Sequence, residues 1–167
     1  MKDNFYNNPL KVIWKSKKNL MPIYLIVLWI TFVLATLVGV FYFEYIDFSS
    51  FQIGTYFSVS STGLTLTLAL FVAGKSAFKE EDLKRLANHE NGQALIDFLG
   101  PYVFTALLFL ITGFLSLFGP YIKLPLKHEY IELVKILYIN ILFLGILSLF
   151  NLVIIMLNDV YASALRK

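Results

Sequence analysis

Ser58, Ser60 and Ser61 are three hydroxyls in close order inside a long uncharged stretch. A serine nucleophile needs a neighbouring base to take its proton. None is at hand, because no Asp, Glu, Lys, Arg or His lies in the middle of any long apolar run, and neither GxSxG nor HExxH occurs. The two histidines, His89 and His128, fall in separate polar segments expected on opposite sides of a membrane, so they share no metal. His89-Glu90-Asn91 reads as a solvated loop. The absence of cysteine removes thiolate ligands, disulfides and thiol catalysis. Ionisable groups within spans mark proton relays and ion-coupled transport, and their absence argues against a proton-coupled transporter or an intramembrane protease. The expectation is a protein with no catalytic residue, no metal and no cofactor.

The polar residues inside the apolar runs have another use. Small and hydroxyl side chains let helices approach closely in lipid and hydrogen-bond across the contact. On a helical wheel of residues 51–74, Gly54, Ser58, Ser61, Thr62, Thr65, Ala69 and Ala73 form one stripe, and Ser60, Gly63, Thr67 and Gly74 a second. Bulky Ile53, Phe57, Leu64, Leu68 and Phe71 stand between them as a lipid-facing ridge. Two stripes imply two neighbours, in the same chain or in another copy, and this stretch reads as the centre of the assembly. In the last apolar run Asn140, Ser148, Asn151 and Asn158 fall within about 80° of one another. That stripe either hydrogen-bonds between helices or lines a polar pore.

These positions need an all-α, polytopic frame. The chain has 167 residues, 58% hydrophobic and 15% charged, with 16 Phe and ten Tyr, whereas soluble domains carry about a quarter charged residues. Its net charge of +3 bears on topology and not on nucleic acid, since no basic cluster interleaves with exposed aromatics. Residues 1–19 form an amphipathic N-terminal segment, with Asn8 capping a helix that has Pro9 at its first position. Residues 20–74 form a first transmembrane hairpin, its first span uncleaved. Residues 75–100 form a polar helical segment with a turn at Asn91-Gly92, a short helix at 93–99 and a break at Gly100-Pro101. Residues 101–157 form a second hairpin, with spans near 101–119 and 133–157, and 158–167 form a tail.

Eleven of the 14 Lys and Arg lie in the N-terminal segment, in 75–100 and in the tail; Lys123, Lys127 and Lys135 lie on the other side. Cytoplasmic segments carry the excess. The expected architecture is four transmembrane helices in a bundle, N-in and C-in, with the helical segment between the second and third facing the cytoplasm. Within that segment Glu80, Glu81, Asp82, Lys84 and Arg85 make a mixed-charge face, solvated or docking a soluble cytoplasmic protein partner.

The functional expectation is a non-enzymatic integral membrane subunit in the lipid bilayer of a bacterial inner membrane. It would form a homo-oligomer and act as sensor, anchor or channel-like effector. Small four-span proteins of this plan occur in bacterial antiphage and stress systems, an analogy of architecture alone. The alternatives are an accessory subunit of a transporter and a small intramembrane or lipid-modifying enzyme.

Overall fold

The structure, a computed structural model, describes residues 8–43, 45–48, 50–77, 80–122 and 128–165, with backbone alone at 77, 80–83, 90–91, 128–129 and 163–165. Among its described residues the regular elements are all helical, with no strand. Helix α1 is Pro9–Lys15, α2 Ile23–Phe41, α3 Phe57–Ala77, α4 Glu80–Asn88, α5 Gln93–Phe118 and α6 His128–Leu165. A 3-10 turn, Ile53–Tyr56, leads into α3, and another, His89–Gly92, joins α4 to α5. Four segments are long and apolar enough to cross a membrane: Ile23–Phe41, Ile53–Ser76, Gln93–Tyr121 and Tyr130–Ala162.

Local chemistry sets the short elements. Asn8 caps α1 by accepting from the Leu10 and Lys11 amides, with Pro9 in the first turn. Gly92 ends the 89–92 turn at φ 87, left-handed backbone that glycine adopts without penalty.

The expected break at Gly100-Pro101 does not occur. The segment 93–99 is the opening of α5, which continues through Pro101 to Phe118. Part of the clash that keeps a residue before proline out of the helical region involves its Cβ, and Gly100 has none. Packing then holds the turn, because a Cβ on Gly100 would come within 1.9 Å of Ser16 Oγ on the segment after α1. The last helix is also longer than expected. At 38 residues α6 spans about 57 Å, against about 30 Å of hydrocarbon core.

Helices α3, α5 and α6 pack mutually; α1 packs on α5 and α2 chiefly on α6. Buried Met21, Leu25 and Leu147 join α2 to α6 at one level, and Val40, Phe48 and Ile136 join them at another. Phe109, Tyr138 and Leu142 fill the contact between α5 and α6, with Leu64 of α3 against them.

Candidate functional site

Three buried hydroxyls on α5 each meet a different side chain. Thr112 Oγ1 accepts from Ser60 Oγ of α3 at 3.0 Å. Thr105 Oγ1 pairs with Ser148 Oγ of α6 at 2.5 Å, and Ser116 Oγ with the Tyr138 hydroxyl at 2.6 Å. Thr105 and Thr112 also donate to carbonyls one turn back in α5, Pro101 O and Leu108 O. Among the described residues these hydroxyl pairs centre on α5, and residues 51–74 contribute Ser60 to them.

The stripe on α6 is divided. Asn140 Nδ2 donates to Thr36 Oγ1 of α2 at 3.2 Å, and the Trp29 indole N–H reaches the Asn140 carbonyl at 3.0 Å. Asn151 Nδ2 donates to Leu20 O at 3.2 Å. Asn140, Ser148 and Asn151 are thus taken up in contacts between elements, whereas Asn158 is exposed. Each such bond is worth about 0.6 kcal/mol on average in a membrane protein, so the set fixes register more than it adds stability.

The two stripes of α3 part company. Ser60, Gly63, Thr67 and Gly74 are buried. A Cβ on Gly63 would stand 2.3 Å from Phe109, and one on Gly74 2.8 Å from the Tyr102 hydroxyl, so this stripe brings α3 against α5. Ser58, Ser61, Thr62, Thr65 and Ala69 are exposed, and Gly54 is half-buried against Pro120. The Thr65 hydroxyl donates to Ser61 O at 3.0 Å within its own helix. The intervening ridge is mixed, with Phe57 and Leu68 exposed while Ile53, Leu64 and Phe71 turn partly inward.

Two clefts flank the exposed stripe. One, of 320 Å³, lies between α3 and α6 and includes Ser58, Thr62, Ile146 and Leu149. The other, of 260 Å³, lies between α3 and α5 and includes Ser61, Leu64, Gly113 and Leu117. Phe109 lines both.

Of the charged residues expected to face a partner, Lys84 and Arg85 are exposed on α4. Glu80, Glu81 and Asp82 belong to its backbone, and their side chains lie outside the described residues. Gln93 bridges α5 to the first helix, donating to Asp97 Oδ1 at 2.8 Å and to Lys15 O at 3.3 Å.

Sequence reasoning overlooked Ser16, Thr36, Thr105 and Tyr138. Thr105, Thr112 and Ser116 recur at spacings of seven and four, which a wheel of α5 begun at Gln93 would have aligned. In these seams hydroxyls meet hydroxyls, amides and carbonyls, bonds that hold helices together. No family model, curated protein or solved structure matches the chain.

Proposed function

We propose that this chain is a non-enzymatic integral membrane subunit whose four long helices form a bundle, and that it assembles with copies of itself through the exposed face of α3. The observation that carries this reading is the division of α3. One small-residue stripe is consumed by α5, while Ser58, Ser61, Thr62, Thr65 and Ala69 stay uncovered. In lipid, such a face gains nothing from hydrophobicity and is useful where another backbone comes close. The clefts on either side of it are grooves into which side chains of a second helix can fit.

The excess of Lys and Arg in the N-terminal segment, 75–100 and the tail supports an N-in, C-in orientation in a bacterial inner membrane. The 75–100 segment then faces the cytoplasm. It leads from α3, the assembling helix, into α5, the hydrogen-bonding hub. A soluble partner at Lys84 and Arg85 would act on both helices together, which suits a sensor or channel-like effector. The test is the mass of the complex extracted in mild detergent: several identical chains fit this reading, and a single chain contradicts it. A stable complex with unrelated transport subunits would favour the accessory role.

A further inference from the structure

Lys135 is a cation on an apolar face of α6. It is half-buried, and its ammonium donates to the Phe48 carbonyl at 2.5 Å, its one acceptor among the described residues. An ammonium carries three N–H donors. Two clefts meet at this side chain. The first, of 330 Å³, lies between the 53–56 turn, α5 and α6 and is walled by apolar side chains such as Ile53, Leu115, Val134 and Leu137. Leu137 is 57% exposed and Ile122, at its rim, 56%, so the cleft opens sideways. Its polar neighbour Tyr138 is already engaged by Ser116. The second, of 430 Å³, is lined by Gln52, Gly54, Thr55 and Pro120. Ile53, Gly119 and Lys135 belong to both.

Among the described residues, an apolar slot thus joins a more polar mouth at one positive charge, the outline of an amphiphile. From Ile131 to Ile141 the slot follows α6 for about 15 Å, half of a hydrocarbon core of about 30 Å and so the depth of one leaflet. We infer that this is a binding site for an anionic phospholipid, with one acyl chain in the slot and the headgroup phosphate on Lys135 beside Gln52 and Thr55. The charge selects the lipid: a zwitterionic headgroup brings its own cation to the ammonium, and an anionic one does not. The site is independent of self-association.

The experiment uses the full chain in neutral detergent, titrated with short-chain phosphatidylglycerol or phosphatidylcholine while thermal unfolding is followed. One lysine near a membrane surface favours anionic lipid about fivefold. The wild type should show that preference, Lys135→Arg should keep it and Lys135→Met should lose it. Val134→Trp, which fills the slot but spares the charge, should weaken both lipids. Lys135→Met also removes the bond to Phe48, so its baseline stability is set aside and the ratio between lipids is read. Equal stabilisation of the wild type by both lipids overturns the site, as does a preference that survives Lys135→Met. An equal effect from inorganic phosphate reduces it to an anion site and overturns the lipid assignment.

Discussion

Gly63 of α3 packs closely against the ring of Phe109 of α5, and a Cβ added at Gly63 would come within 2.3 Å of Phe109 Cε1. Three atoms of that ring lie within 2.6 Å of the added carbon, so the ring as a whole would have to move. Phe109 is 2% exposed and packed against Tyr138 and Leu142. Gly63→Ala should therefore destabilise the fold by about 1–3 kcal/mol, the usual cost of overpacking a tight core. Thermal unfolding in detergent reads this, and Phe109→Leu in the same chain should restore part of the loss. An unchanged melting temperature for Gly63→Ala would show that the two helices are not in such close contact.

That contact also separates what was legible in the sequence from what was not. Four apolar runs announce four spans, because a helix in hydrocarbon must be apolar over about 20 residues. Both stripes of α3 are visible on a wheel. Which stripe turns inward is not, since Ser61 and Gly63 are equally small and a small residue serves contacts within a chain and between chains alike. Gly100-Pro101 misleads for a related reason: local preference reads a break, while packing against Ser16 keeps the helix whole. The partners of Thr105 and Asn140 are 43 and 104 residues away, beyond the reach of any local pattern.

The Thr105–Ser148 pair should be weak but measurable. Thr105→Val and Ser148→Ala, singly and together, form a double-mutant cycle on unfolding in detergent. The coupling should be about 0.6 kcal/mol and no more than about 1.7. A coupling of zero would mean that the two hydroxyls do not share a hydrogen bond.

Topology can be checked without background labelling, because the chain has no cysteine. Lys18, Ser50 and Ser76 are exposed. Cysteines at 18 and 76 should react with an impermeant maleimide only from the cytoplasmic side, and one at 50 only from the other. Ser16 is unsuitable, being 1% exposed against α5. Labelling of position 76 from outside would reverse the orientation.

Charge reversal on α4 tests whether a soluble partner acts there. Lys84→Glu with Arg85→Glu changes two exposed side chains outside the spans. Membrane insertion should be unaffected, while capture of a soluble partner and ion leakage from vesicles should both fall. A double variant that inserts normally and keeps both activities would leave the segment a mere tether.

Self-association through the exposed face of α3 is tested most directly by counting protomers. Single-molecule photobleaching in nanodiscs can compare the wild type with Ser61→Leu/Thr62→Leu, two positions exposed on α3 at the rims of the clefts. Several bleaching steps are expected for the wild type and one for the variant, at an unchanged melting temperature. A single step for the wild type, or an unaltered count in the variant, would contradict assembly through this face.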